Sequence, residues 1–175
     1  MSIPRPVSTV VACALGLLAC CATTELLAAA GDVHSLLVSI RDNDRAAFDA
    51  HVDRAALEGQ IQAVMVRKAG DSRLGDAGAG LSLLLSGPLS RAAGDLLIRP
   101  DVFRAVADYY GYTPDRPIPG QFALAAALTP LPDGRVCAKG RKRGHCLLTF
   151  ADEGGTWRLV AFDEGSVMRG GGGAR

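Results

Sequence analysis

Gly120-Gln-Phe122-Ala-Leu124-Ala-Ala126-Ala-Leu128 decides the architecture, because the hydrophobic period of the chain changes there. Upstream, apolar residues recur three and four apart. From Phe122 the apolar residues Phe122, Leu124, Ala126 and Leu128 alternate with a period of two, which predicts a strand. Further strands are expected at Val136–Ala138, Cys146–Phe150 and Trp157–Phe162. Turns separate them at Pro130–Gly134, which carries the Asp-Gly signal, at Gly140–Gly144 and at Asp152–Gly155. Linkers this short make consecutive strands antiparallel neighbours in a meander.

One face of such a sheet needs cover, and the upstream residues can supply it. Asp32 reads as the cap of a helix carrying Val33, Leu36, Leu37 and Ile40 on one stripe. After a turn at Asp42-Asn43-Asp44, Asp44 caps a short helix with Ala47, Phe48 and Val52. Asp53 caps a third helix with Leu57, Ile61, Val64 and Met65 on one face, and Arg67 and Lys68 near its C-terminal end. Residues 70–80 are glycine-rich and polar, a connection. A fourth helix over 81–97 is interrupted by Gly87-Pro88. Asp101 caps a fifth, with Val102, Phe103 and Val106 inward and Gly111 as the stop. Thr113–Gly120 holds three prolines and joins the two halves. The fold class is α+β, with N-terminal helices packed on one face of a C-terminal four-stranded antiparallel meander.

Residues 1–30 have a different character. Arg5 precedes the apolar run Val7–Ala22, the layout of an export signal. Leu17-Leu18-Ala19-Cys20 looks like a bacterial lipobox, in which the cysteine is lipidated and becomes the N-terminus. Two alternatives stay open: a plain secretory signal cut at Ala28-Ala29-Ala30, and an uncleaved anchor. The run is shorter than the ~20 residues of a spanning helix, and lengthening it brings in Glu25. The chain therefore divides into a signal, lipidation or anchor segment (1–30), a single domain (31–164) and a glycine-rich tail (165–175) expected to be disordered.

A net charge of +1 leaves no global field for nucleic acid, and export argues against it as well. Aromatic residues are only 5%, so Leu, Val and Ala must build the core. His34, His51 and His145 form no zinc-protease frame, and no serine elbow is present. Gly78-Ala-Gly80 lacks the third glycine of a dinucleotide loop. The adjacent carboxylates Asp152-Glu153 and Asp163-Glu164 point to opposite faces of a strand and read as solvated edges. No catalytic residue, cofactor or metal site is identified, so the domain reads as noncatalytic.

Cys137 and Cys146 flank a hairpin turn. Directly opposed positions would let them form a disulfide in an oxidising compartment. Two separate thiols, or a redox-active pair, are the alternatives. Lys139-Gly-Arg141-Lys142-Arg143-Gly-His145 is a dense basic tip. It reads as a solvated turn or as a contact for anionic lipid or another acidic envelope partner.

The stretch Arg54-Ala-Ala-Leu57-Glu-Gly-Gln60-Ile61, following Ala-Phe-Asp-Ala-His-Val-Asp53, resembles the N-terminal motif of the bacterial family named domain of unknown function 2939. Leu84-Leu85-Ser-Gly-Pro88-Leu89 and Leu96-Leu97-Ile98-Arg99-Pro100-Asp101 are similar to its middle, and Trp157-Arg158-Leu159-Val160 to its closing strand. The resemblance implies an exported or membrane-anchored domain and carries no catalytic residues. The expected role is a membrane-tethered, periplasm-facing envelope domain that binds a partner or surface, with a small hydrophobic-ligand or lipid carrier as the alternative.

Overall fold

The computed structural model describes residues 7–71, 94–109, 113, 115–139 and 146–163, with side chains from Thr24 onward except those of 65, 68–71 and 109. The glycine-rich connection beyond Asp71, most of the expected fourth helix, the Gly111 stop and the tail lie outside the described residues; 94–97 are helical.

Val7–Asp42 is one helix of 36 residues, α1. Asp32 therefore caps nothing; it lies inside the helix. The reason is compositional: Val7–Asp42 contains no proline, is rich in Ala and Leu, and meets only isolated glycines, which cost about 1 kcal/mol each without stopping a helix. The boundary expected at residue 30 falls in the middle of α1. Ala29, Ala30, Val33 and Leu36 are buried, with Leu26, Leu37 and Ile40 packed beside them. The apolar stripe thus begins well before Asp32.

α1 ends where Asn43 takes φ 55°, a left-handed conformation that Asn tolerates better than most residues. Asp44 then caps α2 (Arg45–Ala50), its Oδ1 accepting from Ala47 N at 3.1 Å. Asp53 caps α3 (Arg54–Asp71) in the same way, accepting from Ala56 N at 3.0 Å. α4 spans Pro100–Tyr109 and starts on the proline, which fits the first helical position because its missing N–H would have no partner there. Asp101 sits inside that first turn, so it favours the helix dipole but is not the cap.

The expected strand over 122–128 is a correction. Gln121–Ala127 is a helix, α5, and the strand β1 begins only at Leu128, running Leu128–Pro130. Four alternating apolar residues in a window this short also suit two turns of helix. Ala fills four of the seven α5 positions, and Ala is the best helix former and a poor strand former. Leu124 and Ala125 then pack against the core.

β2 (Val136–Lys139), β3 (Cys146–Glu153) and β4 (Thr156–Phe162) complete an antiparallel meander in the order β1-β2-β3-β4. The β3–β4 turn uses Gly154 and Gly155 at φ 67° and 88°, the two left-handed positions that a tight hairpin requires. Leu128, Val136, Phe150, Trp157 and Leu159 are buried toward the helices, against Ala29, Ala30, Val33 and Leu36 of α1, Phe48 of α2 and Leu57 of α3. Phe48 meets Phe103 of α4 edge-on, with ring centres 5.2 Å apart. The helices therefore lie on one face of the sheet.

Candidate functional site

Cys137 and Cys146 are disulfide-bonded, with Cα atoms 5.5 Å apart. They are not directly opposed as expected. Cys137 faces Thr149, and Cys146 faces Lys139. The register shifts between Ala138 and Lys139, leaving Leu147 as an extra residue in β3. A strand alternates sides, so without that bulge Cys146 would point to the helix-covered face while Cys137 pointed away. The bulge brings both sulfurs to one face and the bridge runs diagonally. Lys139 is exposed beside it. Arg141, Lys142 and Arg143 lie outside the described residues, as does the side chain of Cys20, which falls within α1.

A second constellation forms where the helices meet the outer edge of β4. Trp157 N donates to Asp32 Oδ2 at 2.8 Å. Leu159 N donates to His51 O at 2.9 Å, and Asp53 N donates to Leu159 O at 3.0 Å, so Val52 forms a parallel bridge with Leu159. Gln60 of α3 closes the series: its Nε2 donates to Phe162 O at 2.6 Å, and its Oε1 accepts from Phe162 N at 3.0 Å. The carboxamide thus imitates a strand backbone. Val160 is a bulge opposite the Thr149–Phe150 step, which turns Phe162 rather than Ala161 toward Gln60. A sheet edge that would otherwise offer free N–H and C=O groups is occupied by a helix carboxylate, a short backbone segment and a helix carboxamide.

Charged groups surround this joint. His51 Nδ1 is buried, without a hydrogen-bond partner among the described atoms, and lies 3.7 Å from Asp32 Oδ1. Arg54 Nε donates to Asp49 at 2.9 Å and its Nη2 to Ile98 O at 2.8 Å, tying α2 and α3 to the chain that enters α4. Burial raises the Glu153 carboxyl above the ordinary glutamate range. The neighbouring Asp53 carboxylate pushes the same way, while Arg158, at 3.3 Å, pulls it back. Each of these carboxylates already has a structural partner. Among the described residues, no three His, Cys, Asp or Glu side chains converge on a metal-sized site.

The family model described as Protein of unknown function (DUF2939) matches residues 16–106, more than half of the chain. The chain belongs to this family. The matched residues include the stretch Val52–Ile61, and the geometry gives that stretch a role: Val52 bridges the sheet, Asp53 caps α3, Arg54 ties three elements, Leu57 is buried and Gln60 clamps β4. Within the matched span, this stretch joins helices to sheet. The match ends inside α4, so Trp157–Val160 lies beyond it. No curated protein and no solved structure matches the chain.

Sequence reasoning missed the partnerships of Asp32, His51 and Gln60. Gln60 belongs to the quoted family stretch, but its partner is 102 residues away and no local pattern announces it. A cleft of about 90 Å³ opens between Glu25 and Leu26 of α1 and Pro130, Leu131, Arg135 and Trp157 of the sheet. Among the described residues, no helix is long and apolar enough to cross a membrane.

Proposed function

We propose that this protein is a noncatalytic, membrane-tethered domain of the bacterial cell envelope, facing the periplasm or the outer side, that binds a partner or an envelope surface. One observation carries the proposal: α1 runs unbroken from the apolar stretch Val7–Ala22 into the core of the folded domain. With a lipid on Cys20, the helix from Cys20 onward joins the anchor to the core without a break and holds the domain against the membrane rather than on a free linker. The geometry also favours Cys20 over Ala28–Ala30 as the processing point. Cleavage before Cys20 leaves every α1 residue described as buried in place, whereas cleavage after Ala30 removes Leu26, Ala29 and Ala30 from the packing.

The interaction role is better supported than the carrier. Phe48, Leu57, Ile98, Phe150 and Leu159 fill the described core. The 90 Å³ cleft is well below the ~300–1,000 Å³ typical of ligand pockets. For the partner, the basic hairpin is the candidate contact. β2 starts at Val136 beside the cleft that Leu26 lines, and Lys139 lies about 10 Å further along the strand. Lys139, with Arg141, Lys142 and Arg143 following in sequence, would then meet an acidic envelope partner.

Cys20→Ser tests the tether. The variant should leave the membrane fraction, or stay unprocessed, while intact-mass measurement of the parent shows an N-terminus at a lipid-modified Cys20. A parent protein whose mass begins at Gly31 would overturn the assignment.

A further inference from the structure

We propose that α5 and the uncharged residues after it, Gln121–Pro132, rest in the phospholipid headgroup layer of the membrane that holds the N-terminus, with Phe122 inserted. This inference rests on the tethered arrangement above. Arg116 and Asp133 bracket sixteen consecutive residues without a charge. Phe122 is 80% exposed on α5, and Ala123, Ala126 and Ala127 beside it are exposed too. Scattered apolar residues on a surface need no explanation, but an uncharged helix that exposes a Phe and three Ala beside one tied-down Gln does. The single polar side chain of α5, Gln121, is exposed but engaged by α1, its Nε2 donating to Leu27 O at 2.7 Å.

The position on α1 identifies the occupant. Gln121 holds Leu27, His34 Nδ1 donates to Pro119 O at 3.0 Å, and Pro130 and Leu131 line the cleft with Glu25 and Leu26. Gln121 and the cleft residues are therefore strapped to the turns of α1 directly after Val7–Ala22, while Pro119 meets α1 about 18 Å beyond Ala22. At 1.5 Å per residue, Leu27 lies about 7–8 Å along the helix from Ala22. The headgroup layer on each side of a bilayer is about 5–8 Å deep. With Ala22 at the hydrocarbon boundary, α5 falls at headgroup depth, where exposed Phe side chains bury into the acyl boundary. The charges beside it are Arg116, Glu25 and Arg135, the last ion-paired with Asp133.

The test uses the full chain in vesicles of phosphatidylethanolamine and phosphatidylglycerol, carrying Phe122→Trp. The native Trp157 is 6% exposed and supplies a constant background. Ala105→Trp is the control, on α4 beside Arg104, which reaches Arg41 O at the far end of α1. That end lies about 20 Å beyond Leu27. Tryptophan at 122 should emit at shorter wavelength and be quenched severalfold more by acyl-brominated lipid than tryptophan at 105. Co-flotation with vesicles while position 122 stays open to aqueous iodide would overturn the α5 contact and leave the tether standing. Shielding from iodide without quenching by brominated lipid would also overturn it, because the cover would then be protein, a second copy or residues 72–93. Failure to co-float would remove the tether and this contact together.

Discussion

At the residue scale, Glu153 links fold to pH. Burial first, and then Asp53, raises its carboxyl above the ordinary range. A raised folded-state value means that the folded protein holds the proton more tightly than the unfolded chain does. The stabilising contribution is full below the ordinary glutamate value and is lost as pH rises through the folded value. Glu153→Gln removes that titration. The melting temperature of the variant relative to the parent should therefore climb from acid to neutral pH in a series of thermal melts, and a flat difference would refute the assignment. Asp42 and Asp133 have the opposite sign, each held below the ordinary range mainly by hydrogen bonds from Arg41 and Arg135. Their contributions are present above the ordinary aspartate value and lost on acidification; both groups are exposed, so solvent screens them. The capping roles of Asp44 and Asp53 were legible because a cap reaches only three residues along the chain. Asp32 stands before a similar apolar stripe, yet its partner, Trp157, is 125 residues away.

At the element scale, the joint between α3 and β4 concentrates the dependence of sheet on helices. Gln60→Leu keeps the apolar stem and deletes both hydrogen bonds to Phe162. It leaves a part-buried N–H and C=O unpaired, which costs about 1–3 kcal/mol. The melting temperature should fall by several degrees, and an unchanged melt would show that water replaces the carboxamide freely. The elements themselves were unevenly legible. The hairpins at Asp133-Gly134 and Gly154-Gly155 could be read because turn chemistry is local, and Gly134, Gly154 and Gly155 all take positive φ. α5 could not, since Phe122 to Leu128 satisfies a period of two by composition alone, and its packing on α1 selects the helix. The disulfide could be inferred from two cysteines around a turn, but its diagonal geometry depends on the bulge at Leu147.

At the scale of the whole molecule, α1 is the central packing helix and, in the proposed arrangement, also the approach to the membrane. A chain beginning at Gly31 lacks Leu26, Ala29, Ala30 and the Leu27 carbonyl that accepts from Gln121, a loss of about 3–5 kcal/mol. Its thermal transition should move down by about 10 °C or lose cooperativity, while a chain beginning at Cys20 should melt like the full-length chain. Equal melts for the two would mean that residues 20–30 contribute nothing to the fold. The α+β class, the antiparallel order of the meander and the caps of α2 and α3 follow from the sequence alone. They depend on hydrophobic period, short linkers and side chains that satisfy nearby backbone groups. The unbroken course of α1, the helical state of Gln121–Ala127, the shifted strand registers and the Gln60 clamp were decided only in the tertiary structure. Each is a choice among locally acceptable conformations: the registers are settled between neighbouring strands, and the others by partners about a hundred residues away, which the local sequence does not encode.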